Sequence, residues 1–304
     1  MTGIDRLERM HRPGFLSIAL AVVAVSAVVA PGALLSGPAL VLWGLLIAVL
    51  GLPHGAFDLR VAKQAGLADG KMLPVAVAYL GLALTFGVLW KFAPGPWLVL
   101  FMAISAVHFS EDWAGELPWW GRVAAGSAIL GMPAMAHQVD VARIFGYLIP
   151  DDPAMAIARV LAAIALPALA VALIAAVLER PRRPVVAVEL LAIAALAVAL
   201  PPLLYFVAYF CGMHSLRQTL ATASRLGAPT LPAAIRMAAP LTIVTLVGVA
   251  AMVPWLGTNA DEQVLRAVFV GLACLTVPHM ALNLWVEFGP PSRRAAAETV
   301  SAIA

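Results

Sequence analysis

Four histidines in this chain of 304 residues each stand in a short polar motif within a long apolar segment. The four motifs are "GLPHGAFD" (51–58), "HFSEDW" (108–113), "FCGMHSLRQ" (210–218) and "VPHMALN" (277–283). A neutral imidazole binds zinc, copper, iron or nickel through one of its ring nitrogens. The histidines are therefore candidate ligands of a metal ion. They are His54, His108, His214 and His279.

Each of these histidines is followed four residues later by a carboxylate or amide side chain. The pairs are His54 with Asp58, His108 with Asp112, His214 with Gln218 and His279 with Asn283. Residues i and i+4 lie on one face of a helix, so the polar partner can hold the second ring nitrogen and fix which nitrogen faces a metal. A lone histidine near a helix end is more often interfacial, but four such pairs favour a metal site. The four partners are predicted to orient the ligands.

The chain that positions these residues is 63% hydrophobic and only 12% charged, with a mean hydropathy of +0.97. A soluble domain would be about a quarter charged. Apolar runs recur from residue 14 almost to the C-terminus, and a membrane-spanning helix needs roughly 20 such residues. This composition excludes the soluble globular, fibrous and disordered classes. It predicts an all-α, polytopic bundle of membrane helices.

Applying that length to the apolar runs predicts a single transmembrane domain (1–304) of about 8–10 helices, with polar tails at 1–14 and 289–304. The predicted spans are 15–36, 38–56, 72–92, 96–113, 119–137, 154–178, 184–200, 202–222, 231–255 and 263–288. Pro201 and Pro202 either separate two of these helices or kink one long helix. The first span is longer than the apolar region of a signal peptide, so we predict that it is retained.

Lysine and arginine are concentrated in the two tails and in alternate connections between the predicted spans. They are Arg6, Arg9 and Arg12; Arg60, Lys63 and Lys71; Arg180, Arg182 and Arg183; Arg217, Arg225 and Arg236; Arg293 and Arg294. The positive-inside rule then places both termini in the cytoplasm, in a multi-pass protein of a bacterial-type inner (cell) membrane. On this topology the four histidines share one layer of the cytoplasmic half, within about one to two helical turns of the inner helix ends.

The remaining reactive side chains are assigned no catalytic role. His11 lies in the predicted N-terminal tail and His137 at the outer end of a span. Cys211 and Cys274 lie in apolar segments, where free thiols behave as small hydrophobic groups, so no disulfide is predicted. Glu189 is predicted to pair with an arginine or to extend toward the interface. The net charge of +3 belongs to the loops and does not indicate nucleic-acid binding.

Two other functions remain open on these residues. A metal-ion transporter needs acidic or histidine groups along a path to both faces of the membrane, whereas the outer half here offers only His137 and Asp140. A non-catalytic assembly protein of a pigment complex would use histidines to ligate tetrapyrroles, which their shared depth disfavours. The sequence contains neither the HExxH motif of zinc proteases nor the repeated HxxxH boxes of membrane desaturases. The residues do not decide between iron and zinc.

Taken in order, the four motifs resemble those of the Brp/Blh family of membrane β-carotene 15,15′-dioxygenases and span most of the chain. The resemblance implies a non-haem Fe(II) enzyme that uses O₂ to split the central 15,15′ double bond of β-carotene, or of a related carotenoid, into retinal. It also implies that the four histidines are iron ligands and that Asp58 and Asp112 are acidic positions of the family. The expected partners are the carotenoid, O₂ and the lipid bilayer, and no oligomeric state follows.

One position departs from the family pattern. The third motif usually reads His-Ser-x-Arg-His, and Gln218 stands here in place of the final histidine. If that histidine is a required ligand, this protein binds iron differently or poorly. If His279 completes a set of four histidines, Gln218 is a hydrogen-bonding residue outside the ligands, and we favour this interpretation. The loss also leaves open an altered carotenoid preference or an inactive relative.

Aromatic side chains near the histidines are candidates for the lining of an intramembrane tunnel that receives the carotenoid. They are Phe57, Phe109, Trp113, Tyr205, Phe206, Tyr209, Phe210 and Trp285. Ordinary packing or anchoring at the membrane interface is the alternative interpretation for each of them.

Overall fold

The computed structural model describes four ranges of the chain, residues 3–26, 37–67, 69–179 and 184–288. Every element of secondary structure within these ranges is a helix, which confirms the predicted all-α class for the described residues. The predicted tail 289–304 lies outside the described residues. So do the end of the first predicted span and the basic residues at 180–183.

The described residues form thirteen α-helices. They are α1 (Gly3–Ser26), α2 (Gly37–Leu46), α3 (Asp58–Gln64), α4 (Met72–Phe92), α5 (Pro94–Ser110), α6 (Trp119–Ala136), α7 (Gln138–Gly146), α8 (Asp151–Glu179), α9 (Val185–Ala199), α10 (Pro202–Phe206), α11 (Leu216–Arg225), α12 (Leu231–Met252) and α13 (Ala260–Glu287). Two stretches are π-helical, Ile47–Gly51 and Val207–Ser215. The 3-10 turns are Leu52–Phe57, Asp69–Lys71, Glu111–Trp113 and Val253–Trp255.

Within the described ranges, five helical segments are long and apolar enough to cross a membrane. They are Ala39–Gln64, Met72–Phe92, Asp152–Glu179, Leu231–Trp255 and Ala260–Glu287. They confirm a polytopic helical membrane protein, whereas the sequence predicts about ten spans. Part of the difference is length, because α5 has 17 residues and α9 has 15. Both fall short of the roughly 20 residues that cross the hydrocarbon core.

Helices α4 and α12 turn large apolar side chains outward. On α4 these include Leu73, Val77, Leu80, Leu84 and Val88, and on α12 they include Ile235, Ile243, Val244 and Val247. Aliphatic surface of this extent is unfavourable in water and favourable against acyl chains. The outward faces of α4 and α12 therefore fit a bilayer environment.

The first helix begins at Gly3, well before the predicted start of the first span at residue 15. Residues that are predicted to form a polar tail therefore lie in α1, which packs against α9 and α11. The Arg12 guanidinium group lies 2.7 Å from a carboxylate oxygen of Glu116 and 3.1 Å from one of Glu189. Composition does not reveal such pairing, because the polar residues of α1 find partners in distant parts of the chain.

Helix α6 packs along α5, α8 and α9 in the interior of the bundle. At Gly126 it approaches α5 so closely that a Cβ atom there would overlap the carbonyl oxygen of Ala106. Small residues permit this close approach of membrane helices. The contact fixes the second half of α5, which carries His108 in its last turn.

The two π-helical stretches carry or precede two of the histidines. Ile47–Gly51 leads into the 3-10 turn that holds His54, and Val207–Ser215 contains His214. Such irregular turns within helices are frequent at functional sites. They re-aim side chains that a regular helix would direct elsewhere.

Side chains of the second stretch satisfy carbonyl groups in and just before the first. A change of helical pattern leaves carbonyl groups without their usual donors, and an apolar interior offers no water to replace them. The Ser215 hydroxyl donates to the carbonyl oxygens of Leu50 (2.8 Å) and Gly51 (3.0 Å). The Cys211 thiol donates to the carbonyl oxygen of Leu46 (3.7 Å). These bonds join the segment of His54 to the segment of His214.

The prolines at 201 and 202 separate two helices. Helix α9 ends at Ala199, Leu200 and Pro201 have extended backbones, and α10 begins with Pro202 at its first position. Proline is tolerated in the first turn of a helix because its missing N–H would have no partner there. Of the two interpretations open from the sequence, the structure therefore shows the separation.

Candidate metal centre

The four predicted histidines meet in one cluster although they come from segments far apart in the chain. The ring centre of His54 lies 5.7 Å from that of His108, 5.2 Å from that of His214 and 5.5 Å from that of His279. His108 lies 4.5 Å from His214 and 5.1 Å from His279, ring centre to ring centre. The histidines that are predicted to share one membrane depth thus lie close together in space.

Three of the four rings already form a potential ligand set. His54, His108 and His279 each offer one nitrogen, and these nitrogens all lie within 4.8 Å of one another. The fourth ring is adjacent, because Nε2 of His214 lies 2.9 Å from Nε2 of His108. His108 and His214 are buried, at 3% and 0% exposure.

Three of the rings are oriented by acceptors at Nδ1. The Nδ1 of His54 contacts the carbonyl oxygen of Gly51, that of His214 lies 3.1 Å from Asp112 Oδ1, and that of His279 lies 2.8 Å from Asp58 Oδ1. Carbonyl and carboxylate oxygens only accept, so each Nδ1–H donates. The lone pair of the neutral ring is then at Nε2, the nitrogen available to a metal.

The ring of His108 has different hydrogen-bond surroundings from the other three. Its Nδ1 is buried and has no hydrogen-bond partner, while the nearest carboxylate oxygen of Glu111 is 3.9 Å away. Buried polar atoms are nearly always paired, so an orphaned nitrogen on a ring that lies near three other imidazoles indicates a site that accommodates a cation. The donor set fits a divalent transition metal.

The predicted pairing of each histidine with the residue four positions later is wrong for three of the four pairs. Asp58 contacts His279 instead of His54, and Asp112 contacts His214 instead of His108. For the pairs that begin at His54 and His108 the reason is a change of helix type, because the 3-10 turns Leu52–Phe57 and Glu111–Trp113 interrupt these two intervals. With about three residues per turn, position i+4 is rotated roughly a third of a turn away.

The other two predicted partners also lie at the cluster. Gln218 Nε2 donates to Asp112 Oδ1 (3.1 Å), the same oxygen that accepts from His214, so it reaches His214 only through this carboxylate. Asn283 keeps the predicted pairing, with its amide nitrogen 3.3 Å from His279 Nε2 in the regular helix α13. Gln218 therefore supports a carboxylate that supports a histidine, and Asn283 contacts a histidine directly.

Two tyrosines complete the carboxylate contacts, and sequence reasoning missed this role for both. The Tyr79 hydroxyl donates to Asp58 Oδ2 and the Tyr209 hydroxyl donates to Asp112 Oδ2, each at 2.8 Å. The sequence indicates Tyr209 only as an aromatic residue that is a candidate for the tunnel lining. Because the partners are 21 and 97 positions apart, no local spacing reveals them.

Behind Asp112 lies a buried ion-pair network centred on Glu189, whose side chain is inaccessible to solvent. Its carboxylate accepts from the guanidinium groups of Arg12 and Arg217 and from the Trp113 indole nitrogen (3.0 Å). Arg217 also donates to the carbonyl oxygen of Asp112 (3.0 Å). The predicted pairing of Glu189 with an arginine is confirmed. The network anchors the backbone from which Asp112 reaches His214.

A cavity of about 430 Å³ extends from the histidine cluster into the bundle and is lined mostly by apolar side chains. We call it the apolar cavity. His54, His108 and His279 form part of its wall. Of the eight aromatic residues proposed from the sequence, Phe109, Tyr205, Phe206 and Phe210 line it. The other four, Phe57, Trp113, Tyr209 and Trp285, do not line this cavity.

The few hydroxyl groups in the wall of the apolar cavity are largely turned away from it. Thr242 donates to the carbonyl oxygen of Ala238 (3.0 Å), and Thr276 donates to that of Leu272 (2.8 Å). Such bonds to the preceding helical turn occupy the hydroxyl hydrogen. The cavity therefore offers a long hydrocarbon ligand an almost continuous apolar surface.

The two histidines that were excluded from the site lie outside the cluster. His137 Nε2 lies 3.1 Å from the carbonyl oxygen of Val198, and His11 Nε2 lies 2.9 Å from that of Gly212. Both carbonyl groups are acceptors, so each ring donates an ordinary hydrogen bond.

The model of the family described as beta-carotene 15,15′-dioxygenase matches residues 45–287 of the chain. A beta-carotene 15,15′-dioxygenase from an uncultured marine bacterium (66A03) is 28% identical over 268 residues, which cover 82% of this chain and 94% of the relative. A probable beta-carotene 15,15′-dioxygenase (Blh) of Halobacterium salinarum is 28% identical over 288 residues, which cover 79% of this chain and 81% of the relative. No solved structure matches the chain. All four histidines lie within the residues that match the family.

Proposed function

Since the chain belongs to the beta-carotene 15,15′-dioxygenase family, we propose that it cleaves the central double bond of β-carotene with O₂ and releases two molecules of retinal. One oxygen atom of O₂ goes to each of the two aldehydes, so the reaction balances without another reductant. The observation that carries the proposal is the convergence of four histidines at the wall of the apolar cavity.

We propose Fe(II) as the metal and His54, His108, His214 and His279 as the residues that hold it. When bound, iron(II) supplies the electrons that activate O₂ toward an alkene. Support comes from the imidazole donor set, the acceptors that orient three of the rings, and the orphaned nitrogen of His108. Neutral ligands leave the positive charge of the cation intact.

The residues of the cavity have two tasks in this reaction. A polyene is apolar, and the rings of Phe206 and Phe210, stacked 4.9 Å apart between centres, add apolar surface to the cavity wall beside the histidines. The apolar wall excludes water from the reacting double bond. The shape of the cavity thus selects which double bond lies next to His54 and His108.

The location follows from the substrate and the charge pattern. A carotenoid partitions into the hydrocarbon core, so a cavity within a membrane bundle receives it without transfer through water. We propose a bacterial inner membrane, with both termini cytoplasmic and the histidine cluster in the cytoplasmic half. The asymmetric distribution of lysine and arginine supports this orientation.

The test is expression in bacterial cells that accumulate β-carotene, with retinal and colour measured in cells and iron measured in the purified protein. We expect loss of colour, formation of retinal and about one iron per chain, as for a single-ion site. His54→Ala is expected to abolish cleavage, whereas the matched variant His137→Ala removes a histidine outside the cluster and is expected to retain it. Retained pigment with no retinal and no bound iron would refute the proposal.

A further inference from the structure

A second cavity meets the histidine cluster from another side. It has a volume of about 230 Å³, and we call it the polar vestibule. Its polar lining includes Glu111, Gln218, Thr222, Arg225, Asn283 and Glu287. His54, Asp58 and His279 line both this vestibule and the apolar cavity. The cluster therefore stands between an apolar compartment and a polar one.

The two compartments differ in what they can admit. Moving an ion out of water into a cavity without polar partners costs far more free energy than moving a neutral polar group there. In the wall of the apolar cavity the hydroxyls of Thr242 and Thr276 are turned back onto their own helices, so they offer a hydrated cation little replacement for its water. The vestibule offers carboxylate and amide oxygens instead, which suit a hydrated divalent cation.

The polar groups of the vestibule form a graded series along α13. Glu287, Asn283 and His279 are spaced by four residues and so lie on one face of the helix. Glu287 is exposed and Asn283 is half-buried, and the His279 side chain is 12% exposed. The Asn283 amide nitrogen lies 3.3 Å from His279 Nε2. The face thus leads from an exposed carboxylate to a candidate ligand.

Charge in the vestibule favours a cation. Among the described residues, three carboxylates line it, those of Asp58, Glu111 and Glu287, against one guanidinium group, that of Arg225. The guanidinium group is turned back onto α11, where it donates to the carbonyl oxygen of Ala221 (3.3 Å). The Glu111 side chain is 32% exposed and faces the unpaired Nδ1 of His108 at 3.9 Å. An ion passing Glu111 is therefore already at the edge of the cluster.

We propose that the polar vestibule is the route by which the divalent metal reaches the histidine cluster from water. Glu287 and Glu111 attract the hydrated ion. Asn283 lies at the point where the ion replaces oxygen ligands by the ring nitrogen of His279. The inference rests on the proposed metal centre. It adds that metal and carotenoid arrive through different cavities.

The test measures how fast purified, metal-free protein in lipid nanodiscs takes up Co(II), which absorbs visible light when bound by imidazole. The double variant Glu111→Gln, Glu287→Gln is expected to slow uptake about tenfold, within the range of electrostatic steering, and to reach the same final Co(II) content. The control is Asp261→Asn, which removes a carboxylate at the opposite end of α13 and is expected to leave the rate unchanged.

Two matched substitutions, each of which fills one of the cavities with a bulky side chain, distinguish the two routes. Thr222→Trp places a large ring in the vestibule, and Thr245→Trp places the same ring in the apolar cavity. We expect slower Co(II) uptake only in the first variant. Slower uptake only in the second, equal rates in all variants, or a reduced final content in the glutamate variant would each overturn the route. Failure of the unaltered protein to bind Co(II) would overturn the metal centre and the route together.

Discussion

Two groups in the site have the same composition and different surroundings. The buried group consists of Asp112, His214 and Tyr209, and the bordering group consists of Asp58, His279 and Tyr79. In each, a histidine Nδ1–H and a tyrosine hydroxyl donate to one carboxylate. The aspartate and histidine of the buried group are inaccessible to solvent. Those of the bordering group are 7% and 12% exposed and line both cavities.

The difference indicates a division of work between the two groups. Asp112 is held by three side chains and, through its backbone carbonyl oxygen, by Arg217 and the network around Glu189. A rigid anchor of this kind fixes a ligand before the metal arrives. Asp58 and His279 lack that support among the described contacts and stand where ion and substrate would both pass. We infer that the buried group fixes the geometry of the metal ligands, and that the bordering group contacts the ion and the substrate as they enter the site.

The largest expected effect comes from replacing the two aspartates by asparagine. In Asp112→Asn, one carboxylate oxygen becomes an N–H that faces other donors in a place that water does not reach. We expect the affinity for Fe(II) or Co(II) to fall about 100-fold, at the upper end of what loss of an orienting partner costs. In Asp58→Asn, water from the vestibule can rescue the unpaired donors, so about tenfold is expected.

The measurement for both variants is the metal dissociation constant, obtained by competition with a chelator on purified protein. Circular dichroism of the metal-free proteins serves as a control for helical content. Equal losses in the two variants would break the comparison, since burial would then make no difference to how a carboxylate supports its histidine.

The two tyrosines sharpen the same comparison at smaller magnitude, because both hydroxyl–carboxylate bonds measure 2.8 Å and only burial differs. A hydrogen bond to a charged group contributes about 1.5–3 kcal/mol. We expect Tyr209→Phe to lower the free energy of unfolding by about 2–3 kcal/mol, since Tyr209 is fully buried. Because Tyr79 is only half-buried, Tyr79→Phe is expected to lower the free energy of unfolding by about 1 kcal/mol. Denaturant unfolding of the metal-free proteins in micelles gives both values, and the reverse order would contradict the prediction.

What the sequence reveals of this site depends on whether a residue acts within its own helix. The regular helix α13 keeps the spacing of His279 and Asn283, so the predicted contact is found. His54 lies within a 3-10 turn, and the backbone after His108 changes to one within four residues; no residue type predicts either irregularity. The polar partners were therefore identifiable while their pairing was not.

Contacts between distant helices were beyond local patterns. The pairing of Arg12 with Glu189 joins positions 177 residues apart, and α1 begins where polar composition predicts a tail. Polarity at a helix start is compatible with water and with burial against opposite charge, and only the fold decides between them. The all-α membrane class was predictable because apolar length constrains it at every span.

The smallest expected effect concerns Gln218, where the family motif has histidine. Its amide nitrogen donates to Asp112 Oδ1 at 3.1 Å, so it supports the buried group without entering the cluster. A histidine ring N–H can make the same bond. We therefore expect Gln218→His to change the metal dissociation constant by less than about threefold, because the orienting carboxylate keeps its partners.

The matched control is Gln64→His, which introduces the same ring elsewhere on the vestibule wall, where Gln64 donates to the carbonyl oxygen of Arg225. If Gln218→His tightens metal binding tenfold or more and Gln64→His does not, position 218 is a ligand position that this chain has lost. The buried group would then lack one metal ligand. The inference that it fixes the ligand geometry on its own would be wrong.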